Sequence, residues 1–404
     1  MTSPEAHSFP CSTCGAKLEY DASIQAMRCP YCMSQQAIQV AQAEIREIPI
    51  EEGFRRATRG LATPVTAVSC QDCGATVNVG PQDRTVQCTF CGSHKVLPHE
   101  ADPNLIRPES LVPFQVDREA AIQSFRGWLK GLWFRPSDLK HVATVEHVVG
   151  VYIPFWTFDA WIHSSWTADA GHYYYVTETY EVVVNGRTET RTRQVRHTRW
   201  VPASGQRSDH YDDELVCASK GVPRDMVAEV ATFDTKRLVP YQPHFLAGWR
   251  AESYAVDLFA GWEIAQDRIA DEQYERCAGD IPGDTYRDLE VNNTAQGVTF
   301  KHVLLPLWIA TYNYRGKVHR FLVNGQTGKV AGSAPYSVTK IVLFIAAVVA
   351  AIVFIAYAFG REPAHAAHAL PYEDDSAAAM MPRPTYVPGP TPVQPSQPSP
   401  LPTP

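Results

Sequence analysis

No motif for nucleotide hydrolysis or nucleophilic catalysis is written in this chain of 404 residues. A phosphate-cradling loop needs spaced glycines, a lysine and a magnesium-binding hydroxyl, in the order G-x-x-x-x-G-K-[ST]. The nearest fragment, Gly325-Gln-Thr-Gly328-Lys329-Val330, has the wrong glycine spacing and a valine where the hydroxyl belongs. Asp271-Glu272-Gln-Tyr lacks the rest of a motor's acidic motif, and G-x-G-x-x-G, H-E-x-x-H and G-x-S-x-G do not occur. Dinucleotide, zinc-protease and nucleophile-elbow readings therefore have nothing to stand on. An excess of positive charge is missing too. The formal net charge is −7, so the overall balance does not suggest a polyanionic partner. His163, His172, His197, His210 and His244 are scattered and read as structural.

Cysteine is scarce outside one region. Eight of the ten cysteines form four C-x-x-C pairs within the first 91 residues. That pattern reads as metal binding in a reducing compartment rather than as a disulfide framework. Cys11/Cys14 are followed by Cys29/Cys32, and Cys70/Cys73 by Cys88/Cys91, with fourteen residues between the pairs each time. The two units are an internal repeat, CSTCGAKLEY against CQDCGATVNV. Four thiolates suit a tetrahedral zinc ion, and one tight turn offers two sulfurs at C-x-x-C spacing. Gly15, Gly74 and Gly92 follow the second cysteine of their pairs, where a turn needs positive φ, and Met33 takes that place after Cys32. Four protein ligands leave no open position, so two structural zinc ions are expected, one per ribbon. The ribbons occupy residues 8–38 and 67–98, and a mixed-charge linker with a helical portion occupies 39–66. Residues 1–100 carry eight Lys/Arg and ten Asp/Glu, not the basic face usual for ribbons that hold nucleic acid.

Charge is wholly absent from Ile341 to Phe359, as are amides and proline. A helix of this length just crosses a hydrocarbon core of roughly 30 Å, and it lacks the polar face of a soluble core helix. A single membrane span over 339–360 is expected. Lys340, Lys329, Arg320, Lys317 and Arg315 crowd its N-terminal side, against Arg361 and Arg383 beyond it. The positive-inside rule then places the body in the cytosol and the tail outside. That tail, 361–404, is rich in Pro, Ala, Ser and Gln, cannot bury a core, and is expected to be disordered with polyproline II character.

All nine tryptophans fall between Trp128 and Trp308, marking a core in a middle domain, 108–335. Asp117 caps an expected helix through Lys130, and further helices are read at Val222–Thr232 and Val256–Cys277. YYYVTETYEVVV, Asn185-Gly186 and RTETRTRQVRHTRW form the clearest hairpin signal, with Glu178 set across from Arg193 and Val176 from Val195. Arg187, Arg191, Arg193, Arg196 and Arg199 make the second strand basic. They are a candidate anion contact, for a phosphate or lipid headgroup, against the plainer reading of cross-strand pairs and a charged edge. Asp209-His-Tyr-Asp-Asp-Glu214 reads as a polar loop, with a cation or acid–base site as its alternative, and Cys217 and Cys277 read as ordinary buried thiols. Val151-Tyr-Ile-Pro154-Phe-Trp156 is echoed by Val303-Leu-Leu-Pro306-Leu-Trp308, which suggests two related β units. A second Asn-Gly turn is expected within Val323–Val330.

Several strings carry a resemblance: FRGWLK from Phe125, FRPSDLK from Phe134, GVYIPFWTFD from Gly150, TRWVPASG from Thr198, LAGW from Leu246, LLPLW from Leu304 and FLVNGQTGK from Phe321. Together with the cysteine pairs they resemble a bacterial family of membrane-tethered zinc-ribbon proteins over roughly residues 10–355. Members of that family are often labelled relatives of primosomal protein N′, a superfamily II helicase. To that helicase only the cysteine pairs are similar. The resemblance implies zinc binding and attachment to a bacterial inner membrane, and no chemistry. The expected architecture is α+β: two zinc ribbons, an antiparallel-sheet-rich domain, one C-terminal span and a disordered tail. The expected function is a non-catalytic interaction platform with a protein partner, and the alternative is a nucleic-acid-binding module at the membrane.

Overall fold

The computed structural model describes residues 9–39, 45–57, 66–79, 88, 90, 93, 95–100, 105–139, 144–184, 187–315 and 317–359. The chain divides into two units, one up to Val342 and one from Leu343. In the first unit, β1 (Glu19–Asp21), β2 (Ala26–Arg28) and β3 (Gln35–Gln36) make a small antiparallel sheet of their own. Then come β4 (Ile48–Pro49), α1 (Ile50–Ala57), β5 (Thr66–Cys70), β6 (Thr76–Val79) and β7 (Val96–Glu100). The body follows with β8 (Ser110–Leu111), α2 (Arg118–Gly131), β9 (Thr144–Val184), β10 (Arg187–Cys217), α3 (Arg224–Val230), β11 (Val239–Pro240) and β12 (Arg250–Glu252). It closes with α4 (Leu258–Asp280), β13 (Thr285–Tyr314), β14 (Lys317–Asn324) and β15 (Val330–Gly332).

Strands β4 to β15 form one twelve-stranded sheet around β9 and β13. Residues 151–160 of β9 are all buried, and all but Thr157 and Asp159 are apolar. Beyond it, burial alternates: Ile162, Ser164, Trp166, Ala168 and Ala170 face inward and Trp161, Ser165 and Thr167 outward. Asp257 Oδ1 accepts from Ala260 N at 2.9 Å and starts α4. The helix then lays Leu258, Trp262, Ala265, Ile269, Gln273 and Cys277 on the inward face of the strands. Gly261 is required there, because a Cβ would stand 2.6 Å from Trp156 Cδ1.

The two cysteine units pack on opposite faces of this sheet. Leu18, Tyr20, Met27 and Cys29 join Phe114, Phe125, Tyr152, Trp308 and Tyr312. Val68, Cys70, Val77, Cys88 and Phe90 join Val151, Ile153, Phe155, Leu305 and Leu307. Neighbouring residues of β9 and β13 point to opposite faces, so the two clusters lie on either side of the same two strands. The second unit is also a wing of the sheet, since β12 pairs with β6 on one side and with β9 on the other.

The echoed strings pair with each other, Ile153 opposite Leu305, Pro154 opposite Leu304 and Tyr152 opposite Pro306. The repeat extends beyond those strings. Trp156 Nε1 donates to Val256 O at 3.0 Å and Trp308 Nε1 to Val116 O at 2.9 Å. Each accepting valine precedes the aspartate that caps a helix, Asp257 or Asp117. Val216 pairs with Trp156 as Val323 does with Trp308. Ala218 N then donates to Pro154 O as Gly325 N does to Pro306 O.

The expected hairpin has the expected register, with Glu178 opposite Arg193 and Val176 opposite Val195. Val184 pairs with Arg187, and the connecting Asn185 and Gly186 lie outside the described residues. Beyond Gly171, where β13 begins its pairing, β9 and β10 continue as a two-stranded arm. His172–Val184 spans about 40 Å at ~3.3 Å per residue. Two local expectations need correction. Asp209 to Glu214 is not a loop but part of β10, with a bulge between Tyr211 and Glu214. In the second turn the positive φ falls on Gly328 (75°), while Asn324 Oδ1 accepts from Gln326 N and Thr327 N, so an Asx turn replaces the Asn-Gly type.

Helix α5 (Val338–Phe359) carries the apolar run. Val338–Tyr357 has a mean hydropathy of 2.8 with none of it buried, and by length and composition could cross a membrane. The expected tail, 361–404, lies outside the described residues.

Candidate metal centres

Four turns of one design present the cysteines. Cys11 N donates to Ala16 O, Cys29 N to Ser34 O, Cys70 N to Ala75 O and Cys88 N to Ser93 O, at 2.6–2.9 Å. Three of them close again one residue earlier, Gly15 N to Cys11 O, Met33 N to Cys29 O and Gly74 N to Cys70 O. The closing residues take positive φ: Gly15 76°, Gly74 75° and Met33 60°. Met33 thus adopts the glycine conformation without being glycine. Gly92 lies outside the described residues.

Cys11, Cys14, Cys29 and Cys32 converge, their sulfurs all within 4.8 Å of one another. Cys11 Sγ and Cys32 Sγ are 3.6 Å apart and Cys14 Sγ and Cys29 Sγ 3.5 Å. A disulfide would need ~2.05 Å. A tetrahedral ion with sulfurs at ~2.3 Å places them about 3.8 Å apart, so the donors fit a closed four-sulfur site. Thr13 N points at Cys11 Sγ (3.4 Å), a donor that favours thiolate, and Cys32 N lies 3.5 Å from Cys29 Sγ. The Ser34 hydroxyl holds the Cys11 thiol down to about 5. In the second unit Cys70, Cys73 and Cys88 converge likewise, with Cys73 and Cys88 sulfurs 3.7 Å apart. Cys91 lies outside the described residues. Both clusters could hold a metal ion through these cysteines.

A third group of donors is Asp159, Asp212 and Asp213. Sequence reading placed Asp212 and Asp213 with Asp209 but missed Asp159 and Lys301, because both are buried in an apolar context on other strands. Asp159 lies between two bulges, one at Asp212–Asp213 on β10 and one at Gly297–Val298 on β13. Asp213 (φ 55°) and Gly297 (φ 63°) supply the left-handed residues that bulges of this kind need. Asp213 N donates to Asp159 Oδ1 at 2.6 Å. The buried Lys301 Nζ stands 2.8 Å from Asp213 Oδ1, 3.4 Å from Asp159 Oδ2 and 3.3 Å from Glu47 Oε1. The positive charge that these carboxylates hold is therefore the chain's own ammonium. Burial raises Asp159. Burial alone would lower Lys301, but Asp213, Asp159 and Glu47 together hold it above the usual lysine value.

The remaining acids of Asp209–Glu214 go elsewhere. Asp209 is bound by Arg207 at 2.7 Å, by Gln273 Nε2 at 3.0 Å and by Arg276 at 2.9 Å, and the Arg207 hydrogen bond holds it far below the usual carboxylate range. Glu214 pairs with Arg268. Cys277 is buried and Cys217 half-buried, and burial pushes the Cys217 thiol up to about 12. The histidines are not brought into one site: His244 stacks on Phe9, His197 on Tyr174 and His210 against Trp161, while His163 bonds Ser208.

Of the arm's arginines, Arg187, Arg191, Arg193 and Arg199 share one face and Arg196 the other, by strand alternation. Arg193 pairs with Glu178 and Arg191 with Glu189, and Arg196 lies over the Tyr173 ring. Cross-strand pairing thus accounts for part of the basic strand.

Among known proteins the chain is similar to one of Bacillus subtilis (strain 168) described as Uncharacterized protein YdjG. The two are 26% identical over 246 residues, covering 58% of this chain and 66% of that protein. The chain thus spans just under two thirds of that relative's length. No family model matches, and no solved structure matches.

Proposed function

We propose that this chain is a membrane-anchored adaptor: two ribbons closed by structural zinc, fused to an α+β body that presents surfaces to a protein partner and does no chemistry of its own. The observation that carries it is one closed four-thiol site and its near-copy in the same chain as an apolar helix of membrane-spanning length. Closed sulfur coordination stabilises a fold and leaves no position for substrate. The flanking lysines and arginines support a cytosolic body with the tail across the membrane, and the similarity to a Bacillus subtilis protein supports a bacterial one. The second reading, contact with nucleic acid, draws on four arginines sharing one face of the arm.

The test uses the full chain in detergent micelles. Metal analysis should find two zinc ions per chain, and a Cys70→Ser/Cys73→Ser variant one. Fluorescence anisotropy against single- and double-stranded DNA and RNA, at low and moderate salt, separates the readings. Binding that weakens steeply with salt would transfer the function to nucleic acid. Chains without zinc would remove the basis of the adaptor reading.

A further inference from the structure

The longest open edge among the described residues belongs to β10. It pairs only with β9, from Arg187 to Cys217, and no described strand lies on its other side. In the arm β9 has lost β13 as well, so His172–Val184 and Arg187–Arg199 stand as two strands alone. A lone two-stranded ribbon is at best marginally stable in water, and this one leaves Tyr174, Tyr175, Val176, Tyr180 and Val183 exposed. Such an edge invites another strand.

The charge along β10 says which strand fits. Residues 187–199 carry five arginines against Glu189, whereas 207–214 carry Arg207 against Asp209, Asp212, Asp213 and Glu214. The change of sign falls near Trp200. Two identical edges related by a two-fold axis must run antiparallel, which sets the basic half of each beside the acidic half of the other. The third dimension agrees. From Arg187 to Tyr211 the alternation along β10 is unbroken, so Arg187, Arg191, Arg193 and Arg199 share the face on which Asp209 and Tyr211 meet α4. Helix α4 has Glu263, Asp267, Asp271, Glu272, Glu275 and Asp280 against Arg268 and Arg276. Arg268 and Arg276 reach β10, and the exposed Asp271, three residues after Arg268, and the exposed Glu275, beside Arg276, continue the solvent side of the helix next to them.

We propose that β10 is the self-association edge of this protein: a second copy adds its own β10 antiparallel, and each arm lies along the acidic flank of the other copy's α4. The shared sheet gives each arm the third strand it lacks. Pro202 removes one backbone donor from this edge, so charge carries the centre of the contact and the ladder its ends.

Charge reversal tests it on the full chain in detergent micelles at low ionic strength, with protein mass read by light scattering. The wild type is expected as a dimer that weakens with salt. An arm variant (Arg187→Glu/Arg191→Glu/Arg193→Glu) and a helix variant (Asp271→Lys/Glu275→Lys) should each weaken the dimer about tenfold or more. Mixed in equal amounts they should restore it, because the acidic arm then meets the basic helix and the reverse pair is the native one. Recovery on mixing also shows that both variants are folded. A monomeric wild type would overturn the proposal, and an arm that then bound nucleic acid or anionic vesicles would belong to a polyanion instead. Variants that stay dimeric alone, or that stay monomeric when mixed with unchanged circular dichroism, would overturn it too.

Discussion

Ile153 on β9 lies directly opposite Leu305 on β13, and the two hold equivalent places in the repeated strings around them. Every equivalent pair is disposed symmetrically about that point, which therefore marks a local two-fold axis through the sheet. About it stand two copies of one device, a capped helix, a long strand and a return strand, each copy's tryptophan bonded to the valine before the other copy's helix.

Trp156→Phe and Trp308→Phe each remove one indole donor and leave a valine carbonyl without it. Each should cost about 1–3 kcal/mol. Denaturant unfolding of the two variants measures this, and similar losses are expected because the bonds occupy equivalent places. A large loss in one and none in the other would show that the repeat is geometric only.

Met33 stands at φ 60° where the equivalent residues are glycines, and its side chain is exposed. An L-residue pays roughly 1–2 kcal/mol in that conformation, and glycine recovers it less up to ~1 kcal/mol of extra chain entropy. Met33→Gly should therefore stabilise the first ribbon by up to about 1 kcal/mol. Thermal unfolding reads the gain, and slower metal loss to a chelator should accompany it.

Lys301 neutralises Asp159, Asp213 and Glu47 in a largely buried setting. Lys301→Met removes the cation and leaves the carboxylates, a change that costs about 3–5 kcal/mol when a buried pair is broken. The deficit should shrink as pH falls, since Asp159 is already raised by burial and takes up a proton more readily without the ammonium. Unfolding midpoints at several pH values check both the size and the direction.

His302 is fully buried, with Nδ1 2.8 Å from Ile106 O, and burial lowers its pKa from 6.5 to about 4. The unfolded chain therefore binds a proton between about pH 6.5 and 4 that the folded chain refuses. The stability from this residue is complete above pH 6.5 and is lost as pH falls toward 4, by about 3 kcal/mol in all. The slope of stability against pH in that window should be smaller in His302→Gln. Equal slopes would mean that His302 is protonated in place.

Much was legible because it is local. C-x-x-C turns, the aspartate cap at Asp117, and the apolar run of Ile341–Phe359 depend on residues within a few places of each other. So does the arm's register, because a two-residue connection leaves one pairing of Glu178 with Arg193. The cysteines could be matched pair to pair because the spacing recurs.

Other features were settled only when distant segments met. Asp159 and Lys301 are separated along the chain and look like stray charges in apolar strands; the two bulges bring them together. Asp209–Glu214 reads as a polar loop because its residues suit one, yet pairing to β9 makes it a strand and divides its acids between Arg207, Lys301 and Arg268. The placing of the two cysteine units on opposite faces of one sheet was invisible as well, since nothing in a cysteine spacing says what its module packs against. Sequence alone determined the local turns, caps, helices and the cysteine clusters, whose interactions span few residues. Tertiary structure decided which charges became partners and which surfaces stayed open, because burial and long-range pairing decide what a side chain meets.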